Sequence, residues 1–192
     1  MTDEKALRQI RLWSRPFVIL LSIALGLLVL VQVPQIAALL FLFHGDGPWR
    51  AAVSSSGFGI NLSVFADPDR SPDVALESLA FGQRATIALL AGLCAASSGF
   101  AIFHLRQLFA LYSRGAVFTA DNIRHIKRFG LWLVVAAIVI NGAGRLFFVV
   151  TGQHSHNTAN AAMALIYGGM TYVIARVMEL GRRADQERRE FV

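Results

Sequence analysis

Leu111-Tyr-Ser-Arg-Gly-Ala-Val-Phe-Thr-Ala-Asp-Asn-Ile-Arg-His-Ile-Lys-Arg-Phe-Gly130 lies between two long apolar runs, and its charges decide how the chain is threaded. Arg114, Arg124, Lys127 and Arg128 stand here with a single acid, Asp121. Outward from this stretch, apolar runs occupy residues 85–105 and 129–151, then 16–43 and 158–175. Each reaches or approaches the ~20 residues that cross ~30 Å of hydrocarbon as a helix. Basic residues gather again before the first run (Lys5, Arg8, Arg11, Arg15) and after the fourth (Arg176, Arg182, Arg183, Arg188, Arg189). Residues 44–84 instead set Arg50, Arg70 and Arg84 against Asp46, Asp67, Asp69, Asp73 and Glu77, and residues 151–157 carry no charge. Basic flanks stay on the cytoplasmic side. All three basic segments share that side only if the chain crosses four times, with both termini inside.

The fold expected is therefore an all-α integral membrane protein. It is an antiparallel four-helix transmembrane bundle with a small extracytoplasmic loop insertion, residues 44–84, between helices 1 and 2. Residues 106–128 form a cytoplasmic loop and 176–192 a cytoplasmic tail, and the whole chain is one membrane domain. Composition agrees: 55% of the 192 residues are hydrophobic and 16% charged, with a mean hydropathy of +0.54, whereas soluble domains carry about 25% charge. A net charge of +6 and a pI near 10.4 would suggest nucleic acid in a soluble protein. Here the positive charge sits beside apolar spans, where it meets anionic headgroups at the cytoplasmic face, and no direct nucleic-acid contact is expected. Cys94 is the sole cysteine, which excludes an internal disulfide. The first run is too long for a cleaved signal, and Asp3 and Glu4 dilute its charged flank, so it reads as a retained anchor.

Local signals sharpen the outline. Thr119 is a helix N-cap, Asp121 complements the helix dipole, and Phe118 with Ile123 forms a hydrophobic staple. Gly115 lets the chain turn upstream. Arg124, Lys127 and Arg128 then make one basic face, with Ile123, Ile126 and Phe129 on the other. In the outer loop, residues 57–65 alternate as a strand does, and residues 74–81 have helical spacing with Ser71 or Asp73 as cap. A hairpin followed by a helix, leaning on the bundle, is expected there. Beyond the fourth run, Arg176, Glu179, Arg182 and Arg183 are spaced for ion pairs along a continuing helix.

The 111–130 stretch resembles the central signature of a bacterial membrane family catalogued as domain of unknown function 2975. Its members carry a Gly-x-x-Phe-Thr-x-x-Asn segment, here Gly115, Phe118, Thr119 and Asn122, followed by a basic helix and the third span. They end in a cytoplasmic extension of the fourth helix, matched here by residues 173–187. The family's ending is richer in glutamate than this one, which has Arg182, Arg183, Arg188 and Arg189. The resemblance implies a four-helix protein of the bacterial inner membrane without assigned activity, partnered by a small soluble helix-turn-helix regulator.

Candidate chemistry is sparse. His154 and His156, with His44, offer imidazoles to a metal at the outer surface, but no acid or cysteine lies close in sequence to complete a site, and a polar turn explains them. Arg145 is the one ionisable residue well within an apolar run, a functional candidate by position. It lies about 24 Å along the helix from residue 129, close enough to the boundary to snorkel. Asn141, one turn deeper, can bond across helices. Gly142, Gly144, Gly168 and Gly169 permit close helix approach. No paired carboxylates, Ser/His/Asp set or phosphate loop is present, so no enzyme and no cofactor are expected. The leading reading is sensing, regulation or partner docking through a cytoplasmic interaction motif of Arg114, Gly115, Phe118, Thr119, Asn122, Arg124, Lys127 and Arg128. The alternatives are a small transporter or channel subunit acting as a homo-oligomer, and an immunity-type protein that protects the membrane.

Overall fold

The computed structural model describes residues 2–42, 51–56, 59–64, 74–115, 119–152 and 158–190. The described chain is mostly helical: α1 (Thr2–Ala37), α2 (Phe81–Ser113), α3 (Ala120–Thr151) and α4 (Thr158–Glu190), with strands β1 (Ala51–Ser56), β2 (Gly59–Val64) and β3 (Val74–Ala75) between α1 and α2. Three segments are long and apolar enough to cross a membrane: Leu12–Phe41, Phe81–Ser113 and Ala120–Thr151. These support a transmembrane protein. α1 carries Pro16 and Pro34 and ends in a wider π turn, Ala38–Leu42.

The helices outrun the apolar runs that announce them. α2 continues to Ser113 and α3 starts at Ala120, so most of the residues expected as a cytoplasmic loop, 106–128, are helix. An α-helix satisfies its own backbone polar groups, and nothing in the polar residues of 106–113 breaks it until Gly115. There the backbone turns left-handed, with φ of 82°, and the Arg114 and Gly115 amides bond back to Leu111 and Tyr112. Thr119 begins the next helix as its cap: its hydroxyl accepts the Asn122 amide at 3.4 Å, and its carbonyl accepts that of Ile123. Gly152, with φ of 75°, closes α3 as Gly115 closes α2.

The chain divides into two compact units. One comprises Leu27–Ser97 and Val135–Met163. Its sheet has the order β2-β1-β3, all antiparallel, with Val53 opposite both Leu62 and Val74. Val53, Ile60, Leu76 and Leu79 join Leu39, Ile87, Leu90, Cys94 and Phe147 in one buried cluster. The hairpin thus forms as the alternation predicts, and it leans on helix side chains. The helix expected over 74–81 does not form: Val74 and Ala75 pair with β1, and a three-residue 3-10 turn follows. Eight residues make a marginal helix, whereas this path buries Leu76 completely and Leu79 almost so. Ser71 and Asp73 lie outside the described residues. Gln83 then caps α2, its side-chain oxygen accepting the Ala80 amide at 2.9 Å, while its nitrogen donates to the Val150 carbonyl of α3 at 3.0 Å.

The other unit comprises Met1–Gly26, Ser98–Val134 and Ala164–Val192. Phe17 of α1 stacks on Phe109 of α2 at 5.0 Å, and Phe100 of α2 on Trp132 of α3 at 4.6 Å. Arg106 reaches across from α2 and donates to the Ser22 hydroxyl of α1 at 2.7 Å, which itself donates to the Val18 carbonyl. α3 and α4 meet backbone to backbone at glycines. A Cβ placed on Gly168 would lie 2.7 Å from Val134 Cγ2 and 3.0 Å from the Gly130 carbonyl. Gly168 is therefore a packing residue, as expected, and Gly130 is its partner. Gly142 and Gly169 meet no neighbour within 4 Å among the described residues.

Candidate functional site: a basic cleft on α3 and α4

The cleft grows directly out of the cap. With Thr119 fixing the start of α3, the helical period places Ala120, Ile123, Arg124, Lys127 and Arg128 along one side, where Glu179 of α4 completes a cleft of about 330 Å³. Ile126 is buried away from the cleft in a small cluster with Leu108 and Ala175, whereas Ile123, expected to face away from the basic residues, is buried but lines the cleft beside them. That cluster and the Gly130–Gly168 approach hold α3 and α4 close enough for charges to pair across them.

Within the cleft the charges are unevenly matched. Lys127 Nζ donates to Glu179 Oε2 at 2.6 Å, and Arg176 approaches the same oxygen at 3.4 Å. The Glu179 side chain is only 19% exposed, whereas that of Lys127 is 32% and that of Arg176 57%. Arg176 also lies over the Tyr172 ring at 5.8 Å. Tyr172 first, and then the Glu179 carboxylate, push its guanidinium above the ordinary arginine range. Arg124 and Arg128 are exposed, and among the described residues neither has a carboxylate within ion-pair reach. They stand one helical turn apart, about 5–6 Å between Cβ atoms.

Behind the cleft, His125 Nδ1 lies 3.3 Å from His104 Nδ1 of α2, with ring centroids 5.5 Å apart. One ring must supply the N–H and the other the lone pair, so the contact joins α2 to α3 with a single shared proton. Twenty-one residues separate the two histidines, and no spacing rule announces such a pair. Lys127–Glu179 is equally unannounced, since only the Arg176–Glu179 pair has helical spacing.

The expected interaction motif divides accordingly. Arg124, Lys127 and Arg128 come together in the cleft. Arg114 is exposed and Gly115 half-buried at the end of α2. Thr119 is spent on capping, and Asn122 is completely buried, so Asn122 does not belong to a surface. Phe118 lies outside the described residues, as do His44, His154 and His156. Among the described residues no three His, Cys, Asp or Glu side chains are grouped to hold a metal ion. Arg145 is exposed on α3. Among the described residues Asn141 makes no bond across helices: its amide donates to the Ala137 carbonyl of its own helix at 2.7 Å. A carbonyl one turn back is the nearest acceptor a helical asparagine can find, and it removes the need for a partner.

Comparison with known proteins adds no relative to this geometry: no family model matches the chain, and neither a curated protein nor a solved structure is similar to it.

Proposed function

We propose that the chain is a non-enzymatic, multi-pass protein of the bacterial inner membrane that docks or regulates a soluble partner at its cytoplasmic face. In this reading α4 supplies a fourth crossing, the helices form an antiparallel bundle, both termini are cytoplasmic, and the sheet between α1 and α2 is an outer insertion. Family membership in domain of unknown function 2975 belongs to the same proposal and rests on the Gly115–Asn122 motif. A helix-turn-helix regulator is the partner which that resemblance implies.

The observation that carries the reading is the basic cleft. Arg124 and Arg128 are exposed and unmatched by carboxylates among the described residues, while Lys127 is already engaged. They stand immediately before the apolar stretch of α3, and a basic segment in that place is held on the cytoplasmic side. Orientation and recognition then draw on the same side chains.

The test is photocrosslinking in cells from Ala120, which is exposed at the mouth of the cleft. His125 is a poorer site because it is half-buried against His104. Recovery of one soluble protein, lost when Arg124 and Arg128 are changed to glutamate, is the expected result. Capture of lipid or of further copies of the chain alone would sink the docking reading. Attention would then pass to transport by an oligomer, with flux measured on Arg145→Ala.

A further inference from the structure

Glu179 occupies an odd place in a cleft otherwise built for anions. Its carboxylate is the least exposed of the charged groups there and engages two cations at once, Lys127 at 2.6 Å and Arg176 at 3.4 Å. It is borne on a helix that lies against α3. The molecule therefore already contains one example of what fits this surface: a carboxylate presented from a helix to the basic side of α3. Arg124 and Arg128 remain, one turn apart and exposed, with the spacing that two acids one turn apart on another helix would match.

Resting on the docking reading, we infer that Glu179 is an internal competitor for the cleft, and that the occupant it mimics is an acidic helical segment of a soluble partner. This segment carries two carboxylates one turn apart. Those carboxylates pair with Arg124 and Arg128, and a partner acid that displaces Glu179 gains Lys127 as well. The cleft is thereby held partly closed from within. Only an occupant able to match both exposed arginines, unpaired among the described residues, offsets the loss of the internal pair. Charge complementarity of this kind sets the partner's on-rate and selectivity more than its raw affinity.

The experiment uses the full chain in neutral phosphatidylcholine nanodiscs and a labelled alanine-based helical peptide with two glutamates one turn apart. Its control is the same peptide with the glutamates on opposite faces. The matched peptide binds better than the control, and salt weakens it. Glu179→Gln tightens binding about two- to five-fold, the range that release of a part-exposed ion pair supports. Glu179→Asp, which keeps the charge but shortens its reach, tightens it in the same direction. The double variant Glu179→Gln with Lys127→Gln restores the original net charge and returns binding to the starting level. Changing Arg124 and Arg128 to glutamate abolishes it. Equal binding of the two peptides, or no gain in either Glu179 variant, overturns the inference. So does loss of the matched peptide's advantage over its equally charged control when phosphatidylglycerol is added, because general repulsion weakens both alike and only a headgroup in the cleft removes the difference. Photocapture from Ala120 separates the two claims. A partner captured with no gain at Glu179 leaves docking standing and removes the competitor, whereas absence of any partner removes docking itself.

Discussion

At the scale of single residues, Gly168 is the tightest of the described glycines whose surroundings are known. A side chain there meets a branched valine, which cannot swing aside as the tip of a long side chain can, and a backbone carbonyl behind it. Overpacking of this kind costs about 1–3 kcal/mol. Gly168→Ala is therefore expected to lower the melting temperature of the detergent-solubilised protein, and adding Val134→Ala is expected to recover much of the loss. Gly169→Ala, whose added methyl meets nothing, is expected to be neutral. Adjacent glycines thus give opposite results, a contrast invisible in the sequence, where Gly168 and Gly169 read alike. Gly115 differs again: its φ of 82° makes alanine there costly by about 1–2 kcal/mol for a purely conformational reason.

At the scale of elements, helices are legible wherever their signals are local. The N-cap at Thr119, the turn at Gly115 and the basic side of α3 each follow from side chains within one helical turn of one another, and the structure places them as the residues imply. What escapes is everything decided by a distant partner. Residues 74–81 carry helical spacing, yet Val74 pairs with Val53 and Leu76 fills a core assembled from five other elements. Lys127 and Glu179 lie fifty-two residues apart. Gln83 is a further case, because one amide both caps α2 and holds the Val150 carbonyl of α3. Gln83→Glu keeps an acceptor for the Ala80 amide but loses the donor to Val150, and Gln83→Ala loses both. Loss of a cap costs about 1 kcal/mol. The melting temperature is therefore expected to fall in the order Gln83, Gln83→Glu, Gln83→Ala. Equal losses in the two variants would show that the cap contributes nothing.

For the whole molecule, the distribution of arginine and lysine makes a claim about sidedness that labelling can check. Single cysteines are introduced at Ala120 and Ser155 after Cys94→Ser. A membrane-impermeant maleimide added to intact cells is expected to reach Ser155→Cys and to miss Ala120→Cys until the membrane is opened. The reverse pattern would invert the topology and place the basic cleft outside. Cys94 itself is 3% exposed, so replacing it guards against signal only after solubilisation.

The span Leu12–Phe41 is buried over only 6% of its most apolar window, against 39% in α2 and 28% in α3. Selection on such a surface is of a different kind. Where side chains meet fluid hydrocarbon instead of a fixed neighbour, shape carries no information, and leucine, isoleucine, valine and phenylalanine become near synonyms. α1 is free to drift among them so long as no charge enters, and its residues will diverge fastest in letters while changing least in meaning. The glycine crossing of α3 and α4 has the opposite grammar, in which one added methyl is a different word.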